Sequence, residues 1–285
     1  MDEKMIIFEQ VSKQFKRQYV LNQVNFQIQP GEHIALVGSN GAGKTTLMRC
    51  LLGEYCCEGK IVIDGLNPRT DRQAVLKRVG FVPQLPPPLK MPVRQLIRFS
   101  AGVCGTDSQD IVDITKRLGL DIQTLLHRPF VKLSGGQKQK LLIAIALGRK
   151  CDILIMDEPA ANLDPKARQI FLELLQEKQE QAITLISSHR LDELAALVNR
   201  VLELDRGQVV LDDRVADQNR HCKNWFCRLI LKRSEVALTK TLKTWQFTES
   251  EAGLIWEGNV AGPERLHFLT LLSRHAEILN HVSLE

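Results

Sequence analysis

Residues 34–45 read Ile34-Ala35-Leu36-Val37-Gly38-Ser39-Asn40-Gly41-Ala42-Gly43-Lys44-Thr45. The last eight match G-x-x-x-x-G-K-[ST] in full, behind a short apolar strand and ahead of an apolar-rich helix running from Lys44 to about Leu52. Glycines placed between a strand and a helix let successive backbone N–H groups turn inward around an anion. The N-terminus of the helix adds favourable positive potential. Lys44 supplies a point charge for the β- and γ-phosphates, and Thr45 a hydroxyl for Mg²⁺. The stretch is therefore read as a phosphate-binding loop.

Downstream, Ile153-Leu154-Ile155-Met156 is an apolar strand that ends in Asp157-Glu158. Beside a phosphate loop, Asp157 suits the Mg²⁺ shell. Glu158, one residue on, can polarise an attacking water as general base. Around these two landmarks, strands expected at 5–9, 24–28, 34–37, 61–63, 80–83, 151–156 and 182–186 alternate with helices at 44–52, 72–79, 165–180 and 191–199. This alternation predicts a largely parallel sheet. A hairpin is expected at 200–211 around Arg206-Gly207. The middle section, about 85–150, opens on Leu85-Pro86-Pro87-Pro88, a stiff extended connector. It then gives helical patterns at 92–102, 108–119 and 136–149.

After about Asp212 the pattern changes. A polar stretch leads into strand (225–231), helix (235–243), strand (244–247), strand (252–256), helix (263–276) and strand (278–282). This βαββαβ order predicts a small ferredoxin-like domain. The expected division is 1–212 for the larger domain and 213–285 for the accessory one.

The bulk numbers fit a globular chain with an aliphatic core. Of 285 residues, 44% are hydrophobic, 25% charged and only 5% aromatic. A net charge of +5, without long basic runs, falls short of the bias of a dedicated nucleic-acid binder. Seven cysteines, an odd number without a C-x-x-C pair, read as free thiols in a reducing compartment. Cys222 and Cys227 lie near His221 but have no second half-site for a metal. The start, MDEKMIIFEQ, has no apolar core of a signal peptide, and the longest apolar runs are too short to cross a bilayer.

Several folds share a phosphate loop and an acid pair. Leu133-Ser134-Gly135-Gly136-Gln137 separates them, because here the sequence resembles the ABC (ATP-binding cassette) ATPase family, whose signature is LSGGQ. The resemblance covers roughly residues 5–211. It implies a P-loop NTPase cassette of the α/β class, with a mostly parallel sheet core, an antiparallel β subdomain and a helical subdomain at about 85–150.

The resemblance also implies a function. ATP would be held by Gly38, Ser39, Asn40, Gly41, Ala42, Gly43, Lys44, Thr45 and Thr46. Ser134, Gly135, Gly136 and Gln137 would face the γ-phosphate bound by the other copy of a head-to-tail homodimer. The further landmarks follow in order. Gln84 matches the Q-loop glutamine, implied to join Thr45 and Asp157 around Mg²⁺. Ala161-Asn162-Leu163-Asp164 matches the D-loop, usually SALD, at Leu163 and Asp164 and departs from it at Ala161 and Asn162. His189 matches the switch histidine, implied to contact the γ-phosphate. Lys44, Gln84, Glu158 and His189 make up the implied catalytic set. For the adenine platform, Phe15 fits best and Tyr19 is its rival.

Chromosome-maintenance members of this family insert long coiled coils between lysine motif and signature, and translation-factor members carry two cassettes. This chain has neither feature, so a soluble ATPase acting on ribosome or DNA is the second reading, and no direct nucleic-acid contact is expected. The first reading is a subunit on the cytoplasmic face of a membrane, held there by a separate polytopic permease. The ending ILNHVSLE (278–285) resembles the small extension of type-2 ABC exporters.

Overall fold

The computed structural model describes residues 5–178, 182–188, 194–214, 224–250, 253–261, 268–269, 271–272, 275 and 277–284. These residues fall into two compact units, the first holding residues up to 188 and 196–213, the second residues 194–195 and those from Arg214 onward.

The first unit holds two sheets. Strands β1 (Ile6–Phe15), β2 (Gln18–Ile28) and β4 (Glu58–Ile63) form an antiparallel sheet in the order β2-β1-β4. A six-stranded sheet contains β3 (His33–Val37), β5 (Val79–Val82), β6 (Ile153–Asp157), β7 (Ile183–Ser187), β8 (Arg200–Asp205) and β9 (Gln208–Arg214). Its order is β5-β6-β7-β3-β8-β9, with parallel pairing from β5 through β8. Every residue of β3, β6 and β7 is buried, as expected of strands covered on both faces.

Helix α1 (Lys44–Leu51) leaves the C-terminal end of β3, and α2 (Arg72–Arg78) leads into β5. The proline connector follows β5 without regular structure. Helices α3 (Val93–Cys104), α4 (Ser108–Arg117) and α5 (Gly135–Leu147) then make up the helical section, with two 3-10 turns at Gln123–Leu125 and Phe130–Lys132. The apolar run Leu141–Leu147 of α5 is buried at every position. It is a central core helix, apolar all round because packing surrounds it. Burial of each Leu or Ile there contributes about 1.5–3 kcal/mol. Helix α6 (Pro165–Lys178) connects β6 to β7.

The β1–β2 hairpin is longer than the sequence pattern predicts. Its alternation is broken by register shifts between Phe8 and Val11 and again toward Lys13, and Gln10 and Gln23 take positive φ values of 48° and 50°. Side chains satisfy the displaced backbone there: Gln10 N–H donates to Asn25 Oδ1 (2.7 Å) and Gln23 N–H to Ser12 Oγ (2.8 Å). Such bulges shift the strand's apolar positions from one face to the other, so a strict period of two misses the outer half.

The second unit contains β10 (Asn224–Leu231), α7 (Val236–Thr244), β11 (Thr248–Ser250), β12 (Ile255–Ala261) and β13 (Leu279–Leu284). The sheet order is β11-β12-β10-β13, antiparallel throughout. Its core is separate, built on Leu229, Leu242, Trp256 and Phe268. Two strands sit later than expected. Thr244 still belongs to α7 and Trp245 caps it, packing its ring 5.1 Å from Phe268, so the 244–247 stretch is a helix end rather than a strand. Residues 195–199 of the helix expected at 191–199 run as turn and bend into β8, while 191–193 and most of the helix expected at 263–276 lie outside the described residues.

Candidate functional site

The phosphate loop bridges β3 and α1 at the centre of the six-stranded sheet. Gly38 takes φ +144°, and a Cβ there would meet the Leu204 carbonyl oxygen at 2.2 Å. Gly43 takes φ +112°, and a Cβ there would lie 2.7 Å from the Val20 carbonyl. Both positions require glycine on conformation and on space. The loop is thus pressed between β8 and the β1–β2 hairpin. Gly207, at the tip of the β8–β9 hairpin, donates its N–H to Ala42 O (2.9 Å) and fixes the loop from below. Ser39, Asn40 and Gly41 form its open rim, and Thr46 follows Thr45 in the first turn of α1.

Lys44 is buried, with 8% of its surface exposed. Its ammonium donates to Gly38 O (2.6 Å) and Ser39 O (3.1 Å). Burial holds its pKa below the ordinary 10.5, against the opposing pull of Glu158 and Asp157. A buried cation that is incompletely compensated attracts an anion.

Asp157 ends β6 and accepts two hydrogen bonds. Thr45 Oγ1 donates to Oδ2 at 2.7 Å, and Ser187 Oγ donates to Oδ1 at 2.6 Å. Parallel register explains the second contact, since Asp157 and Ser187 are partners at the C-terminal ends of β6 and β7. Ser187 Oγ also accepts from Glu158 N–H (2.9 Å), and Glu158 adopts φ 49°. A left-handed backbone at a non-glycine residue is strained, and such strain gathers at functional positions. Ser187 is therefore the hydroxyl that holds the Asp157 carboxylate and the Glu158 backbone. Sequence reading passed over it as one of two serines before His189; its only signal there is a polar residue closing an apolar strand.

The donor set of Thr45 Oγ1 and the Asp157 carboxylate consists of hard oxygens, which fits Mg²⁺. Gln84 follows β5 as an exposed residue and is not among the hydrogen-bond partners of Thr45 or Asp157. His189 lies outside the described residues.

The signature opens α5. Ser134 is its N-cap, and a capping box closes between Ser134 and Gln137: Gln137 N–H donates to Ser134 Oγ (3.2 Å), and Ser134 N–H to Gln137 Oε1 (3.0 Å). The side chain of Gln137 is therefore engaged locally. Gly135 has open space on its Cβ side, while a Cβ on Gly136 would come within 3.3 Å of Asn162 O. Farther along α5, fully buried Gln139 donates to Pro159 O (2.8 Å), and Lys140 pairs with Asp164 at 2.7 Å. The first turns of the signature helix are thereby bonded to the segment that follows Glu158. Asp164 in turn accepts from Ala167 N–H (2.9 Å), and Ala161 and Asn162 are exposed.

Phe15, 40% exposed, ends β1. Tyr55 meets it edge-on at 5.3 Å, and Lys13 Nζ lies 4.9 Å from its ring centre. Tyr19, 51% exposed, lies across the same hairpin in register with Gln14. The hairpin borders the phosphate loop through Val20, which gives both aromatics access to its surroundings.

The family model described as ABC transporter matches residues 21–161. The phosphate import ATP-binding protein PstB of Thermotoga maritima is 30% identical over 224 residues, covering 73% of this chain and 89% of that protein. The Nod factor export ATP-binding protein I of Rhizobium etli is 30% identical over 227 residues, covering 76% of this chain and 71% of that protein. A solved structure of an ATP-binding subunit of an ABC transporter superposes with a TM-score of 0.68 at 26% identity, over 75% of this chain and 91% of that one.

Proposed function

Because this chain belongs to the ATP-binding subunits of ABC transporters, we propose that two copies of it close on two ATP molecules and drive a separate membrane permease by hydrolysing them. The observation that carries this reading is the Thr45–Asp157 hydrogen bond, which joins the phosphate loop to the acid pair across the sheet. Lys44 holds the β- and γ-phosphates with a charge whose burial they offset. The loop's backbone N–H groups, from Gly38 to Thr46, cradle the rest of the phosphate chain.

Thr45 and Asp157 would hold Mg²⁺, with Gln84 as a further ligand. The ion, when bound, neutralises phosphate charge and polarises the γ-phosphoryl group. Glu158, its backbone held by Ser187, takes a proton from water as that water attacks the γ-phosphorus. His189 holds the same phosphoryl group. Ser134 and Gly136 reach it from the second copy, where the N-terminus of α5 favours the anion. Gln137 supports that contact by capping the helix, and Gly135 leaves the room a close approach needs. Phe15 stacks on adenine.

The helical section offers exposed apolar side chains, Leu85, Phe99 and Val103, close in sequence to Gln84. Exposed apolar groups of this kind suit a docking partner, and the permease is the occupant we assign. Among the described residues no helix is long and apolar enough to cross a membrane. Similarity reaches relatives named for import and for export. We assign export, on the Nod factor export relative and on the extension after residue 213.

The test is purification of the Glu158→Gln variant from detergent-solubilised cells with ATP and Mg²⁺. The expected result is a dimer with trapped ATP, no turnover, and a stoichiometric polytopic membrane protein. Ribosomal or DNA-associated partners in its place would overturn the transport role. Normal turnover would remove Glu158 from its position as base.

A further inference from the structure

Beside the nucleotide site the fold builds a second reactive arrangement. Cys50, on the last turn of α1, is buried, whereas Cys57, just ahead of β4, is half-buried. The two thiols lie close enough that each acts on the other's ionisation. Both line a cavity of about 430 Å³ whose wall also includes Tyr55, Lys60 and Arg69. Cys56, between Tyr55 and Cys57, is exposed.

We propose that Cys50 and Cys57 are a reactive dithiol that a hydroperoxide oxidises to an intramolecular disulfide. The two sulfurs have different tasks. The neighbouring Cys50 thiol favours the thiolate of Cys57, and Lys13 and Arg69 add positive charge, so its pKa falls to about 7. The same proximity, together with burial, pushes the Cys50 thiol up. A low-pKa thiolate at the edge of an electropositive cavity is the nucleophile. Its protonated neighbour resolves the product.

In the first step the Cys57 sulfur attacks the peroxide oxygen and the O–O bond breaks. The leaving alkoxide or hydroxide takes up a proton, and Cys57 becomes a sulfenic acid. In the second step Cys50 Sγ attacks the Cys57 sulfur, and the expelled hydroxide leaves as water with the Cys50 proton. Two thiols are oxidised by two electrons, and one hydroperoxide is reduced to an alcohol and water. The product ties the end of the phosphate-loop helix to the base of β4, across the loop that holds Tyr55 against Phe15.

The test uses the full-length protein treated with hydrogen peroxide and then alkylated. Cleavage after Glu54 separates Cys50 from both Cys56 and Cys57. The expected product is therefore a pair of peptides still joined by a disulfide, cleaved by a reductant. The linkage should persist in Cys56→Ser and vanish in Cys57→Ser. In Cys50→Ser, a dimedone adduct should accumulate on Cys57. Three results would overturn the proposal: separate peptides in the wild type, a vicinal Cys56–Cys57 disulfide, or a dimedone adduct on Cys56 in place of Cys57. Circular dichroism of each variant before oxidation confirms that these products come from folded chains.

Discussion

Lys44 concentrates the site's electrostatics in one side chain. Among the described residues, its buried ammonium is bonded to two carbonyl oxygens, Gly38 O and Ser39 O. The folded chain holds that proton less tightly than the unfolded chain does. A base with a lowered pKa costs stability wherever the unfolded form is charged, which is below about pH 10.5, and the cost fades as pH rises from the folded value to that limit. Lys44→Met should therefore raise the melting temperature of the nucleotide-free protein at neutral pH and abolish the further rise caused by ATP. Differential scanning calorimetry with and without ATP reads both effects; a fall in the apo melting temperature would contradict this account of Lys44. At this scale the sequence marks the places of the loop glycines, Lys44, Thr45, Asp157 and Glu158, because a glycine-rich turn between strand and helix and an acid at a strand end are local features. It was silent about Ser187, because that role arises only when β6 and β7 lie in register.

At the scale of elements, the strands around the site are locked by buried charge as well as by apolar packing. Arg200, at the start of β8, is 4% exposed. It donates to Gln27 O at the end of β2, to Glu32 Oε2 (2.6 Å) ahead of β3, and to both Asp212 oxygens on β9 (2.7 Å each). One guanidinium thus joins the antiparallel sheet to the parallel one. Arg200→Leu takes the guanidinium from the buried Glu32 carboxylate, which keeps the Gln29 N–H (3.0 Å), and breaking such a pair from one side costs about 3–5 kcal/mol. The expected readout is a lower urea midpoint with unchanged slope, and partial recovery in the Arg200→Leu/Glu32→Gln double variant. An unchanged midpoint would show that solvent reaches this cluster. Neither partner stands out in sequence, because a lone Arg at the start of a strand is ordinary. The alternation of strands and helices was readable from apolar periodicity, whereas the outer halves of β1 and β2 were hidden by the bulges near Gln10 and Gln23.

At the scale of the whole molecule, two cores divide the work. The core of the first unit runs from Ile6 to Leu204 and that of the second from Cys227 to Ile278, with no residue in common. A chain ending at Asp213 should remain folded and bind ATP with the affinity of the intact protein, within about twofold. Isothermal titration of the truncated chain checks this, and global unfolding would refute the independence of the two cores. The cut has a sharp limit, since a chain ending at Leu211 lacks Asp212 and exposes the Arg200 cluster to the loss described above. The sequence signal for a second unit is the shift after about Asp212 from alternating βα units to another order of elements. The placement of β11 and β12 was not legible, because Trp245 and Phe247 have the composition of a strand while a helix end and a core packing position claim them.

The contact between Gly207 and Ala42 also sets a schedule for synthesis. The phosphate motif leaves the ribosome early, but its floor is a backbone N–H supplied 165 residues later (207 − 42). Strand β3, from which the loop springs, likewise waits for its neighbours β7 and β8. At roughly 5–20 residues per second, a nascent chain displays its glycine-rich segment for several seconds to half a minute before the pocket can close. During that interval the motif is present and the binding site is not. Nucleotide therefore enters as a ligand of the finished cassette and cannot serve as a template on which the early chain condenses.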